Sequence, residues 1–191
     1  MSGESDLVAT PSETVGPFFH FGLATDATLG CVADRSVPGE SVKLRIRITD
    51  GDGSPVPDAL VEIWQLDADG RAAVLAPAGQ KPAFRGFGRL PTITDGTCEF
   101  DTVRPGRLAG GQAPSQASHI NVCLFARGLL RHLHTRVYFS GDSALTDDAV
   151  LALVPAHRRE TLLARPDPDT PGRWLFDLRL QGEDETVFFN L

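Results

Sequence analysis

Hydrophobic and polar positions alternate with period two between residues 41 and 49. Val42, Leu44, Ile46 and Ile48 fall on one side; Ser41, Lys43, Arg45, Arg47 and Thr49 fall on the other. An extended chain sends successive side chains to opposite faces, so this segment is predicted to be a strand with one buried and one wet face. Asp50-Gly51-Asp52-Gly53-Ser54-Pro55 ends it in a turn, and Leu60–Leu66 reads as the next strand, closed by Asp67-Ala68-Asp69-Gly70. Further strands are predicted over Leu90–Thr94, Thr97–Val103, Ile120–Ala126, Leu133–Phe139, Arg173–Gln181 and Thr186–Phe189. Asp95-Gly96 and Arg104-Pro105-Gly106 stand where hairpin turns belong. Helical periodicity is scarce: Asp147–Leu153 and Ala156–Ala164 read as two short surface helices separated by Pro155. Gly86-Phe87-Gly88-Arg89, Ala109–Ser118 and Pro166–Gly172 read as loops. Short strands with turn signals between them define an all-β chain, a β-sandwich or barrel with short surface helices. The expected division is an N-terminal arm and loop over residues 1–40, then one β-sandwich domain over 41–191.

Composition sharpens this picture. A chain of 191 residues fits one compact unit, and with 41% hydrophobic and 23% charged residues it can bury a core rather than remain disordered. Nineteen glycines and 14 prolines agree with many turns and short elements. A net charge of −7 argues against nucleic acid or an anionic membrane surface as the main partner. Cys31, Cys98 and Cys123 are too few and too far apart for a disulfide framework or a CxxC zinc site, so reduced thiols in a cytoplasmic protein are expected. The acidic start, Met1-Ser2-Gly3-Glu4-Ser5-Asp6, does not read as a secretory signal, and no apolar run approaches the ~20 residues of a membrane span. The aromatic residues are unbalanced: eleven Phe, two Trp and one Tyr, Tyr138.

Two histidine motifs are candidates for chemistry. His132 and His134 stand at i and i+2 on a predicted strand and therefore share a face, as many metal ligands do. Arg131 and Arg136 flank them, and no carboxylate or further ligand lies near in sequence, so they read as a solvated or partner-facing strand edge. His119-Ile120-Asn121 likewise places a histidine and an amide on one face, but a neutral amide oxygen is a weak ligand for a transition ion, so this reads as a polar pair at a sheet end. There is no Ser-His-Asp order, P-loop or dinucleotide glycine fingerprint. Composition and spacing alone therefore stop at a soluble acidic all-β domain, which a stand-alone β-sandwich binding module would also satisfy.

Longer stretches carry a resemblance. Thr10-Pro11-Ser12-Glu13-Thr14-Val15-Gly16-Pro17-Phe18-Phe19 resembles the N-terminal signature of the intradiol ring-cleaving dioxygenases. Val61-Glu62-Ile63-Trp64-Gln65 with Asp67-Ala68-Asp69-Gly70, and Gly86-Phe87-Gly88-Arg89, are similar to the same family. So are His119-Ile120-Asn121, Phe125-Ala126-Arg127-Gly128, His132-Leu133-His134-Thr135-Arg136, Arg158-Arg159-Glu160-Thr161-Leu162 and Gln181–Phe189. The resemblance implies a β-sandwich core and a non-haem iron(III) chemistry that opens catechol rings between the two hydroxyl-bearing carbons. Members that hold iron do so with two tyrosines and a His-X-His pair. This chain has Asn121 where the second histidine falls, and its one tyrosine, Tyr138, matches neither ligand position. The expectation is therefore no catalytic residue and no metal in this chain.

The resemblance further implies a partner: an iron(III)-carrying beta subunit, on which the arm of residues 1–40 packs, with the active site at the shared interface. To that pocket this chain would contribute the substrate-binding residues Thr14, Gly16, Pro17, Phe18 and Arg127, for a carboxylated catechol, 3,4-dihydroxybenzoate. Charge gives Arg127 a partly independent case, since an acidic protein must supply local positive charge to hold a carboxylate. Arg127 lies eight residues beyond His119, about 26 Å along an extended strand, so it is placed to reach a neighbour rather than its own His119. The plainer readings are a surface arginine at a strand end and, for Gly16-Pro17-Phe18-Phe19, an arm held by aromatics at an oligomer interface.

Overall fold

The strictest alternation in the sequence gives the most regular strand. In β1 (Ser41–Thr49) the side chains of Val42, Leu44, Ile46 and Ile48 are buried, while Ser41, Lys43 and Arg47 are exposed. The computed structural model describes residues 9–16, 18–74, 76–77, 79–108 and 114–190. Seven further strands follow: β2 (Leu60–Trp64), β3 (Phe87–Pro91), β4 (Thr97–Val103), β5 (His119–Phe125), β6 (Leu133–Phe139), β7 (Leu163–Pro166) and β8 (Arg173–Arg179). They hydrogen-bond in the order β3-β2-β5-β6-β7-β8-β1-β4. One half of the sandwich is β4-β1-β8-β7 and the other β3-β2-β5-β6, joined by a short parallel pairing in which Tyr138 of β6 faces Leu163 of β7. β1 and β8 are also parallel, and the remaining pairs are antiparallel.

Inward side chains of both halves form one core, with Leu44, Ile46, Val61, Ile63, Phe100, Ile120, Leu124, Val137, Phe139 and Phe176 almost wholly removed from water. A second, smaller cluster lies on the outer face of β6, where Tyr138 packs with Ala117, Leu151, Val154 and Leu162. The segments that cover it are 3-10 helices: Ser143–Asp147, Leu151–Leu153 and Ala156–Leu162. The last two fall within the two short surface helices predicted there, the second ending at Leu162 because Leu163 and Ala164 belong to β7. Local bonding explains the short turns. The Asp142 carboxylate accepts from Ala144 N (2.9 Å), the Asp148 carboxylate accepts from Val150 N (2.9 Å) and Leu151 N (2.7 Å), and Pro155 has no N–H to continue a helix.

Other expectations shift too. Gly86-Phe87-Gly88-Arg89 is largely β3 rather than loop, and that strand ends at Pro91 rather than Thr94. The turns at Asp95-Gly96 and Arg104-Pro105-Gly106 do not close hairpins, because β3 and β4 lie at opposite ends of the strand order and β4 and β5 in different halves. Thr186–Phe189 forms no strand. It makes only an isolated bridge, Phe189 to His134, and side-chain bonds supplement it: Thr186 Oγ1 accepts from Arg179 N (2.9 Å) and Thr135 Oγ1 donates to Val187 O (2.7 Å). The N-terminal region carries a five-residue helix, α1 (Phe19–Leu23), and a 3-10 helix, Ala27–Gly30, neither of which the pattern announced. Among the described residues no helix is long and apolar enough to cross a membrane.

Candidate functional site

β5 runs from His119 to Phe125, and the chain then turns through Ala126, Arg127 and Gly128, the last with φ of 89°. A left-handed residue is needed to reverse the chain at this point, and glycine adopts it without steric penalty. The Gly128 N–H, turned outward, donates to Thr14 Oγ1 at 2.7 Å. That bond, spanning 114 residues, lays the N-terminal segment beside Arg127. The Arg127 guanidinium meets Asp58 at 2.7 Å and stays more than half exposed. Asp58 is the one non-glycine residue with positive φ (58°) among the described residues. Its loop is held because Thr92 Oγ1 accepts from Ala59 N (3.0 Å) and donates to Val56 O (2.8 Å).

Beyond Thr14 the segment is open. A methyl group at Gly16 would meet nothing within 4 Å. Phe18 is 76% exposed and Phe21 63%, their rings 6.1 Å apart, and Leu23 is exposed beside them. No residue of α1 is buried. Helix α1 is tied to the sandwich at its end, where Arg89 donates to Leu23 O (3.5 Å) and pairs with the buried Glu62 of β2. A helix with no fully buried residue, beside which two phenylalanines are exposed, has the character of an interaction surface. Thr14 and Arg127 are thus brought together, while Gly16 and Phe18 continue along the same exposed segment. Pro17 lies outside the described residues. The acidic partner of Arg127, Asp58, was not legible beforehand; Pro57-Asp58 signals a turn but not where the carboxylate goes.

The other end of β5 is chemically different. His119 Nδ1 lies 2.8 Å from Ala117 O, and its ring packs against Tyr138, the residue directly opposite on β6. Burial, with the nearby Arg136, holds the His119 imidazole below its usual pKa. The Tyr138 hydroxyl donates to Asp148 Oδ1 (3.1 Å) and lies 3.5 Å from Arg136 Nη1, and burial pushes it up to about 12. Asn121 sits between Trp64 of β2 and Arg136 of β6. One imidazole, one neutral amide and a phenol kept protonated do not make the hard, anionic donor set that iron(III)–tyrosinate chemistry needs.

Similarity to known proteins agrees with the fold. A dioxygenase family profile matches residues 14–182, and the chain belongs to the intradiol ring-cleaving dioxygenases. Within that family it is a homologue of an enzyme subunit, the alpha chain of protocatechuate 3,4-dioxygenase. It is 43% identical to that of Burkholderia cepacia (97% of this chain, 98% of the relative) and 40% identical to that of Pseudomonas putida (96% and 97%). The beta chain of the B. cepacia enzyme is 32% identical over 92% of this chain and 77% of its own length. Among solved structures, catechol 1,2-dioxygenase from Acinetobacter sp. ADP1 superposes with a TM-score of 0.60 at 26% identity, over 78% of this chain and 55% of that one. Likeness to an enzyme subunit along nearly its whole length sets aside the stand-alone binding module.

Proposed function

We propose that this chain is the iron-free subunit of a protocatechuate 3,4-dioxygenase, paired with an iron(III)-carrying beta subunit whose substrate pocket it completes. The reaction is intradiol cleavage of 3,4-dihydroxybenzoate to 3-carboxy-cis,cis-muconate, for which the partner's iron(III) supplies the oxygen chemistry. The observation that supports this reading is the Thr14–Gly128 hydrogen bond, which lays Thr14 on the exposed ridge that carries Arg127, with Gly16 and Phe18 following in the same segment. That ridge lies at the far end of β5 from His119, so a ligand held there is presented to a neighbour rather than to this chain's own His119 end.

The division of labour follows from the side chains. Arg127 offers a planar fork of donors that matches the substrate carboxylate, and Asp58 holds one arm of that fork while leaving the rest free. Gly16 allows close backbone approach, and Phe18 forms a wall that excludes water from the pocket. Phe18, Phe21 and Leu23 supply apolar area for the partner. Of the arm of residues 1–40, the segment up to Leu23 packs on the beta subunit, since Val32 is already buried in this chain's own core.

Co-expression with the beta chain tests the proposal. The chain purified alone with added iron(III) should be colourless and inactive, while the co-expressed pair should show the visible absorption of an iron(III)–tyrosinate and cleave 3,4-dihydroxybenzoate. A coloured, active preparation of this chain alone would overturn it.

A further inference from the structure

We propose that Cys123, His132 and His134 form a binding site for a borderline-soft cation, zinc(II), separate from the ridge at Thr14 and Arg127 and independent of the partner's iron. The two histidines alone read as a wet strand edge because no third donor lies near them in sequence. The fold supplies one. Cys123 on β5 stands directly opposite His134 on β6, and His132 approaches from the turn before β6. The Cys123 thiol and one nitrogen of each imidazole all lie within 4.8 Å of one another. Zinc bonds of about 2.0–2.3 Å at tetrahedral angles bring ligand atoms roughly 3.3–3.8 Å apart, so modest side-chain rotation, easiest at exposed His132, closes the set.

Several features favour this chemistry over chance proximity. The histidine rings stand edge to face with centroids 4.7 Å apart, and His134 is held from behind because Phe189 N donates to its carbonyl at 2.8 Å. Cys98, by contrast, is surrounded by the apolar core, and Cys31 is exposed. One thiolate and two imidazoles match zinc(II) and leave a fourth position for water. Glu62 stands opposite Cys123 on the other side of β5, bound to Arg89, and provides a buried carboxylate in the outer shell. A cysteine thiol is mostly protonated at neutral pH. Binding therefore breaks the S–H bond and forms an S–Zn bond, with the proton released to buffer. Because β5, the Arg127 turn and β6 are consecutive, a bound cation would pin the last rungs of the ladder, next to the turn that carries Arg127.

The test uses the full-length chain, stripped with chelator and titrated with zinc(II) and, separately, cobalt(II). One equivalent of zinc should bind with release of protons, and cobalt should give a near-ultraviolet thiolate charge-transfer band. Cys123→Ser should remove that band. His132→Gln, at an exposed position, should weaken zinc binding by at least about tenfold, the lower range for even an outer-shell change at a zinc site. It should leave the unfolding temperature of the metal-free chain unchanged, which separates lost ligation from lost folding. No charge-transfer band in the parent chain, or zinc binding equal in His132→Gln and parent, would overturn the assignment.

Discussion

Arg127 is a cation in a chain of net charge −7, and Asp58 already neutralises one side of it. An exposed pair of this kind contributes about 0–1 kcal/mol to stability, so the value of the guanidinium lies in what it binds. In the complex with the beta chain, Arg127→Ala should weaken binding of 3,4-dihydroxybenzoate by about 1–3 kcal/mol, the range for a hydrogen bond to a charged group. Binding of plain catechol, which lacks the carboxylate, should change little. Steady-state KM values for the two substrates measure the difference, and equal losses would reassign Arg127 to structure. Tyr138 makes the opposite case, a polar atom whose work is internal. Tyr138→Phe leaves Asp148 with its bonds from Ala117 N, Val150 N and Leu151 N, so denaturant unfolding should show a loss of only about 0.5–1.5 kcal/mol. The visible absorption of the co-expressed pair should be unaltered; its disappearance would make Tyr138 an iron ligand. The scarcity of tyrosine was plain from composition. Its meaning came from the family pattern, and the hydroxyl's partner, Asp148, came only with the fold.

At the scale of elements, strict alternation was legible and close approach was not. β1, β4 and β6 lie where polarity alternates or β-branched residues cluster, and their bounds coincide with those expected. β3 was half missed because Gly86-Phe87-Gly88-Arg89 looks like a loop. Gly86, with φ of 66°, does make the turn, but Gly88 is a strand residue whose missing side chain admits a neighbour. A Cβ there would stand 2.7 Å from Val32 Cγ2 and 2.9 Å from Leu29 O. Gly88→Ala should therefore destabilise the chain by about 1–3 kcal/mol, as overpacking does, read as a lower denaturant midpoint with unchanged m-value. β7 escaped because four residues are too few to show a period, and its pairing is set by β6 and β8. The β5–β6 ladder also has a pH signature. Because the folded His119 ring titrates below its ordinary value, the unfolded chain binds the extra proton first as pH falls. Stability should be full above about pH 6.5, decline below it, and level off once the folded ring is protonated. His119→Gln should flatten that window in denaturation measured at several pH values. A residual slope should remain from His134, which burial and His132 shift in the same direction.

For the whole molecule, the exposed aromatic surface is the feature that a single chain leaves unexplained. Helix α1 buries no residue, yet it carries Phe18 at its start and Phe21 within it. Aromatic anchors at the centre of an interface commonly contribute more than about 2 kcal/mol each. The double variant Phe18→Ser, Phe21→Ser should therefore lose co-purification with the beta chain while unfolding at the same temperature as the parent. Equal loss of both properties would mean that α1 serves the fold. Charge and length limited the partner class from the outset, but the site was legible only as family motifs, because Thr14 and Arg127 are 113 residues apart and meet through a backbone N–H that no motif encodes.

The short stretch after α1 has another consequence. The sandwich is nearly a barrel, with β3 and β4 as its two free edges, and residues 27–33 run between them. Val32 N donates to Asp101 O of β4 (2.8 Å), Val32 O accepts from Arg85 N just before β3 (2.8 Å), and Gly30 packs on Leu90 of β3. These residues work as a zip over backbone edges that would otherwise be open to strands of other chains. Trimming the chain to begin at Thr25 should leave a well-folded protein that no longer pairs. Trimming to Arg35 should open the seam and yield a species that aggregates on concentration, as light scattering would show. One arm thus separates into two devices, an adhesive tip for the partner and a seal against every other strand.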